Sequence, residues 1–362
     1  MKRKYEVLIL GASYGSLLST KLLMAGHGVT LVCTRSTADL INREGTLVRF
    51  PVKSQESVVE VNSNQCNGHI CARTPEEVDP ARFDLVVLGM QEPQYGAHGV
   101  RQLIRRVAEA RTPCLAIMNM PPRPYLKRIP RLSNENLDDC YTDAIVWQGF
   151  DPALVTMASP DAQAVRLADR AKNVLHVGLP TNFKAARFGT EKETALLRNV
   201  ETDIEQARFP TVNGGIEIPV KLKVHESIFV PLAKWPMLIT GNYRCVGPDA
   251  MIPIKDAVHR NLAKSQEIYD WVANVCSHLG AEMGDLVPFE KYAKAAESLG
   301  KPSSAARALF SGALHIERVD KLVWRIACQL GLYSETLHEI VTLVDERLEQ
   351  NRTAGHERAA AA

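Results

Sequence analysis

With 362 residues, 46% of them hydrophobic, and a formal net charge of +2, the chain has apolar material for two domains. It carries no broad field of either sign to attract nucleic acid or a membrane surface, which points to small-molecule ligands. No apolar run approaches the roughly 20 residues of a spanning helix, and the start "MKRKYEVLILGAS" passes straight into a strand and turn, so the expectation is a mature cytoplasmic start.

The run "YEVLIL" predicts a strand, followed by a helix from Ser16 to about Ala25 and a second strand in "GVTLVCT" after the Gly26-His27-Gly28 turn, which together make a βαβ unit. "FDLVVLGM" (83–90), a helical stretch from near Gly96 to Ala110 and "PCLAIMNM" (113–120) repeat the grammar. Their strands are continuously apolar, as a parallel sheet covered on both faces requires. From about 145 to 190, "DAIVWQGF", "AQAVRL" and "NVLHVGLPTNFKAARFG" read as an antiparallel extension or edge, and a helix follows over roughly 191–208. After the Pro/Gly-rich "FPTVNGGIEIP" the pattern turns helical, as in Val319, Leu322, Val323, Ile326, Ala327 and Leu330 on one face.

The expected architecture is α/β: a Rossmann-type doubly wound sheet (1–222), then an all-α domain for substrate and dimerisation (223–350), then a disordered tail (351–362). The eight cysteines lie in apolar segments with no C-x-x-C and no histidine in metal spacing, predicting reduced, packed thiols and no metal site.

The segment "LGASYGS" fits two chemistries, a hydrolase nucleophile elbow at Ser13 and a degenerate dinucleotide loop. An elbow serine follows a central strand after a sheet has been started, whereas Ser13 follows the first strand, so the hydrolase reading is the least favoured. In the dinucleotide reading Gly11, Ala12, Ser13, Tyr14, Gly15 and Ser16 form the turn and helix start around a pyrophosphate. Ser13 stands where a second glycine is usual, and Gly15 comes one residue early. The second strand ends in "VCTRS", with no acid for ribose hydroxyls. Arg35 beside Thr34 suits a 2′-phosphate, which favours NADP(H); the alternative is an ordinary exposed arginine, and Arg43 is a lesser second contributor.

"VLILGASYGSLLSTKLLMAGHGVTLVCTR" and "PSSAARALFSGALHIERVDKLVWRIACQLGL" resemble the ketopantoate reductase (2-dehydropantoate 2-reductase) family of the 6-phosphogluconate-dehydrogenase-like superfamily, over nearly the whole chain. The resemblance implies an NADP(H)-dependent reduction of a 2-oxo acid or related ketone, with ketopantoate, a step of pantothenate biosynthesis, as one candidate. It implies catalytic roles for Lys234, Glu317, Asn242 and Asn119, substrate contacts from Ser303, Ser304 and Asn242, and cofactor contacts from Gln91, Gln94 and Asn119. Hydride attack on a ketone builds alkoxide charge that an ammonium such as Lys234 stabilises and protonates. Glu317 would orient Lys234, and Asn242 with a serine hydroxyl would hold the carboxylate. Read without the resemblance, Lys234 is a solvated lysine, Glu317 pairs with Arg318 or Lys321, Ser303 or Ser304 caps a helix after Pro302, and Asn119 and Asn242 are turn residues.

The chain departs from the family pattern at Met120-Pro121-Pro122, where the family has Asn-Gly, at Leu238, where it has asparagine, and at Gln91, where it tends to have lysine. Pro236 either opens a helix or kinks one; at α pitch, eight residues put Lys234 and Asn242 within about 80° of each other. The departures leave two alternatives open, an opine-dehydrogenase-like imine reductase and a non-catalytic NADP(H)-binding sensor. The helical domain also offers a face for pairing two chains.

Overall fold

The computed structural model describes residues 3–52, 57–132, 135–159, 164–211 and 214–360. In chain order the elements of the first part are β1 (Glu6–Leu10), α1 (Gly15–Met24), β2 (Gly28–Val32), α2 (Arg35–Glu44), β3 (Leu47–Phe50), β4 (Val59–Asn62), β5 (Ile70–Arg73), β6 (Leu85–Leu88), α3 (His98–Ala110), β7 (Cys114–Ala116) and α4 (Arg123–Leu126). They continue as β8 (Val155–Ser159), β9 (Ala164–Val165), β10 (Val174–Val177), β11 (Thr181–Ala186), α5 (Glu191–Gln206), β12 (Phe209–Thr211), β13 (Gly214–Ile216) and β14 (Val220–His225).

The large sheet has the order β14-β11-β8-β7-β6-β1-β2-β5, and every pair from β8 to β5 is parallel. Beyond β8 the sheet turns antiparallel once, at β8–β11, before β11 and β14 pair in parallel. β1 is the pivot: the chain leaves it toward β2 and β5, then returns to its other side as β6. In an open α/β sheet such a reversal opens a crevice beyond the carboxyl ends of the two strands.

The central strands are buried, with Val7, Leu8, Ile9, Leu10, Val86, Val87, Leu88 and Leu115 each 0% exposed. Two covered faces are the reason these strands read as unbroken apolar runs instead of alternating ones.

Where sequence and structure differ, the packing shows why. "DAIVWQGF" is not a strand: Ala144–Trp147 forms a 3₁₀ turn that exposes Ile145 and buries Val146 and Trp147. β9 and β10 do not extend the large sheet. They join β3 and β4 in a separate four-stranded sheet of order β4-β3-β10-β9; residues 162–163 of "AQAVRL" lie outside the described residues. In "FPTVNGGIEIP" the described residues form the β12–β13 hairpin.

The second part comprises α6 (Lys234–Met237), α7 (Ile254–His259), α8 (Leu262–Leu279), α9 (Phe289–Ala296), α10 (Ser304–Phe310), α11 (Val319–Gln329) and α12 (Glu335–Ala360). α11 buries Val319, Leu322, Val323, Ile326 and Ala327, the face its spacing predicted. α12 runs on to Ala360, so most of the segment expected as a disordered tail continues a helix. By compactness the chain divides into two units. One comprises Met1–Met90, Gln94–Ile129 and Ile145–Ile228; the other comprises Gln91–Pro93, Pro130–Ala144 and Phe229–Ala362. The helical unit therefore recruits two short stretches from the first half of the sequence. Among the described residues no helix is long and apolar enough to cross a membrane.

Candidate active site

In the sheet unit, the turn Gly11–Tyr14 leaves the end of β1 and enters α1. Gly11 has φ +102°, a conformation that favours glycine, and a Cβ there would lie 2.8 Å from Met90 Cγ and 3.0 Å from the Gly89 carbonyl oxygen. The turn is thus pressed against the residues that follow β6, at the sheet's reversal point. A Cβ on Gly15 would come within 2.5 Å of Ile9 Cγ2, so its bare backbone is what lets α1 lie close on β1.

Ala12 is buried and Tyr14 half-buried, packed edge-on to Phe183 at 6.3 Å, while Ser13 is exposed. The Ser16 hydroxyl donates to the Ala12 carbonyl and tightens the turn. No side chain caps α1, and in its first turn the Ser16 N–H donates to Ser13 O at 3.2 Å and the Leu17 N–H to Tyr14 O at 3.1 Å.

Thr34 precedes α2 with its hydroxyl on that of Thr37 at 3.1 Å, and Arg35 is the first residue of that helix. The exposed Arg35 guanidinium donates to Glu77 Oε1 at 2.8 Å. The other oxygen of Glu77 accepts from the Thr74 N–H at 2.9 Å and from its hydroxyl at 3.2 Å. Bonding to Arg35 first, and then to Thr74, holds the Glu77 carboxyl down to about 2. Arg43 lies in the last turn of the same helix, paired with Glu44.

Asn119 is half-buried just past β7. Pro121 and Pro122 are buried and lead into α4, where the Tyr125 N–H donates to Pro122 O at 2.9 Å. A fixed proline φ suits a helix entry, so the double proline directs the chain into α4. Gln94 is exposed. Tyr95, which the sequence did not single out, is 0% exposed and accepts the Met90 N–H at 3.2 Å, bracing the turn after β6.

In the helical unit, Lys234 is half-buried at the start of α6, after a 3₁₀ turn over Val230–Ala233. Pro236 sits within that first turn. α6 then widens into a π-helical turn, Leu238–Asn242, which ends on the half-buried Asn242. Leu238 is 3% exposed and belongs to the core. Gln91 is exposed.

Glu317 is 7% exposed and its Oε1 accepts the Glu92 N–H at 3.4 Å. Its main chain is clamped by Tyr243, whose hydroxyl donates to Glu317 O at 2.5 Å and accepts the Val319 N–H at 3.0 Å. Arg318 pairs with Asp320 and Asp345, and Lys321 with Asp139. The Glu92 carboxylate is buried and accepts the Thr142 N–H at 3.0 Å; burial pushes its pKa up. Ser303 is the N-cap of α10: its Oγ accepts from Ala306 N at 3.1 Å and donates to Asn242 O at 2.7 Å. Ser304 is exposed.

Sequence reasoning missed Glu77, Tyr95, Glu92 and Tyr243. Only Glu77 left a local signal, a Thr-Pro-Glu-Glu capping box at residues 74–77. Among the described residues no group of three or more metal-ligating side chains forms.

No family model matches the sequence, and no curated protein matches it. Solved structures match its fold. A 2-dehydropantoate 2-reductase of Methylococcus capsulatus aligns over 96% of this chain and 97% of its own, with TM-score 0.64 and 14% identity. A ketopantoate reductase of Ralstonia eutropha JMP134 aligns over 96% and 99%, with TM-score 0.63 and 15% identity. D-mandelate dehydrogenase, in a ternary structure with NADH and anilino(oxo)acetate, aligns over 96% and 99%, with TM-score 0.63 and 13% identity. The chain thus has the fold of the ketopantoate reductases along nearly its whole length.

Proposed function

We propose that the chain is a nicotinamide-dinucleotide-dependent oxidoreductase of the ketopantoate reductase type, reducing a 2-oxo acid or related ketone to the 2-hydroxy compound. The observation that carries the reading is the Gly11–Tyr14 turn, packed against Gly89 and Met90 where the strand order reverses and leading into an uncapped helix N-terminus. Nearly end-to-end likeness to reductases and to a dehydrogenase holding NADH supports it.

The dinucleotide, when bound, supplies the hydride; the other tasks fall to the chain. N–H groups at the start of α1 hold the pyrophosphate, and the exposed Ser13 hydroxyl adds a donor. Gln91, Gln94 and Asn119 keep the nicotinamide end and the substrate in register. The Lys234 ammonium neutralises charge building on the carbonyl oxygen and passes it a proton. Glu317, held by Glu92 and Tyr243, orients Lys234, while Asn242 and Ser304 bind the substrate's polar groups. The Ser303 hydroxyl is committed to two internal bonds, so in this reading it holds Asn242 in place instead of touching substrate.

For the cofactor, Arg35 suits the 2′-phosphate of NADP(H). Glu77 favours a second reading, NAD(H), because a ribose hydroxyl could donate to a carboxylate already fixed by Thr74, whereas a phosphate would have to compete with it for Arg35. Two chains would pair through the helical unit, which light scattering can check.

The test follows nicotinamide absorbance with NADH and NADPH against pyruvate, 2-oxobutanoate, phenylglyoxylate and ketopantoate, each with and without an added amine. Lys234→Ala should lower kcat roughly 10²–10⁴-fold and leave dinucleotide affinity unchanged. Unchanged kcat removes Lys234 from the mechanism, strict amine dependence gives the imine-reductase reading, and binding without turnover on any acid gives the sensor.

A further inference from the structure

The turn between Lys234 and Asn242 has an identifiable cause. In an uninterrupted α-helix the Met237 carbonyl would accept the Gly241 N–H. Here it accepts from the Tyr292 hydroxyl at 3.1 Å, and the chain continues at π pitch through Leu238–Asn242, with the Tyr243 N–H on Leu238 O. The hydroxyl fits because residue 241 is glycine: a Cβ at that position would lie far inside contact distance of Tyr292 Oη and 3.2 Å from Ile254 Cγ2.

Tyr292 itself has little freedom. It is 7% exposed on α9, stacked on Tyr269 with ring centroids 5.5 Å apart. Tyr269 is anchored in turn by its hydroxyl on Val287 O at 2.7 Å. A side chain inserted into the helical ladder is one of the few physical causes of a local break in pitch.

The break changes which residues share a face. A π turn takes one residue more than an α turn, so eight residues advance round the axis about as far as seven would at α pitch. The angle between Lys234 and Asn242 falls from ~80° to ~20°. Two further side chains settle the far end: Cys245 Sγ donates to Gly241 O at 3.2 Å, and Ser303 holds Asn242 O.

We propose that Tyr292, with its hydroxyl seated against Gly241, is a positioning residue that imposes the π turn and so brings Asn242 onto the same face as Lys234. This rests on the reading in which those two side chains act on the substrate. It extends that reading to a residue 58 positions beyond Lys234 on a different helix.

Tyr292→Phe, Gly241→Ala, their double variant and Lys234→Ala are compared by steady-state kinetics on the four 2-oxo acids and by thermal melting, and the structure of Tyr292→Phe is determined. Each of the Tyr292 and Gly241 single variants should lose about 10²-fold in kcat, the usual cost of misplacing a group by about 1 Å, with KM for the dinucleotide unchanged. In the double variant the alanine methyl occupies space the hydroxyl vacated, so the melting temperature returns toward wild type while kcat stays low. That split is what a merely structural tyrosine would not give.

In the Tyr292→Phe structure, residues 238–242 should revert to α pitch, with Gly241 N bonded to Met237 O. Persistence of the π turn, wild-type kcat in Tyr292→Phe, or kcat recovering together with stability in the double variant each overturns the proposal. Full turnover in Lys234→Ala overturns the reading of the site, and with it the catalytic half of the proposal; the Tyr292→Phe structure still decides independently whether Tyr292 causes the turn.

Discussion

Gly15→Ala should loosen the proposed dinucleotide turn without touching a ligand. The added Cβ would sit 2.5 Å from Ile9 Cγ2, against the roughly 3.5–4.0 Å at which carbon atoms rest. Ile9 is 0% exposed in the central strand, so its methyl has nowhere to go, and α1 must move off β1 by about 1 Å. Overpacking of this kind costs about 1–3 kcal/mol. Alanine's better helix propensity returns at most about 0.5–1 kcal/mol, less at a first helical position. A net loss of about 1–2 kcal/mol lowers the melting temperature of a domain this size by roughly 3–6 °C. The moved helix start also weakens its hydrogen bonds to a charged pyrophosphate, each worth about 1.5–3 kcal/mol, so dinucleotide Kd should rise tenfold or more. Melting curves and fluorescence titration with NADH and NADPH measure both effects. Ile9→Leu removes the offending γ-methyl at a cost usually under about 1.5 kcal/mol by itself, so the Gly15→Ala/Ile9→Leu double should be more stable than the two single effects added together. If Gly15→Ala melts at or above the wild type and binds dinucleotide normally, close helix–strand packing is not what residue 15 supplies.

Glu77→Gln should raise the NADPH-to-NADH ratio of kcat/KM several-fold by freeing Arg35 from its carboxylate partner, and an unchanged ratio places the 2′ position elsewhere. Lys21, 1% exposed with Nζ 3.3 Å from Ala207 O, is pushed down by burial to about 8 from 10.5. Between those values the unfolded chain binds more protons than the folded one, so the penalty is full below pH 8 and fades as pH rises. Lys21→Met should therefore stabilise by up to about 3 kcal/mol at neutral pH, with a gain that shrinks toward pH 10.5 in urea unfolding; a gain independent of pH would contradict this. Buried His27 accepts the Tyr5 N–H on Nδ1 at 3.2 Å, and burial holds its pKa below 6.5. The unfolded chain takes up its proton first, so stability should fall as pH drops below 6.5, and His27→Asn should flatten that slope.

The sequence disclosed what packing writes locally. β1, β2, β6 and β7 were legible because strands covered on both faces need apolar residues at every position, and α11 because five residues of its predicted stripe are buried together. "DAIVWQGF" misled because an apolar run has no intrinsic period; Ile145 and its neighbours satisfy a 3₁₀ turn as well as a strand. In the candidate site, residue types were legible and their settings were not. Lys234 and Asn242 could be named from the chain, but their angular relation depends on a hydroxyl from α9. Arg35 stood out at the end of β2, while the carboxylate that binds it arrives 42 residues later from beyond β5. Ser303 reads in the sequence as a substrate contact or a helix cap; its hydroxyl caps α10 and also holds the Asn242 carbonyl, a partner the sequence does not announce.

The same distinction accounts for the irregular glycine loop. A dinucleotide fingerprint asks three things of small residues: a tight turn, close approach of backbone to pyrophosphate, and close packing of helix on strand. The first and third are contacts within the protein, and here a Cβ at either position forces its neighbours to shift. At Gly11 it would strike Met90 and the Gly89 carbonyl from a backbone at φ +102°, and at Gly15 it would strike Ile9. The second is a contact with the ligand alone, and in the proposed function Ser13 occupies it, exposed, where a Cβ meets solvent and a hydroxyl can replace some of the approach that glycine would allow. Packing against the protein penalises any substitute at 11 or 15, whereas a ligand-facing position can exchange bare backbone for a hydrogen-bond donor. On the proposed reading, a fingerprint that departs at its ligand-facing residue and in the spacing of Gly15 still keeps the two packing contacts that a dinucleotide turn requires.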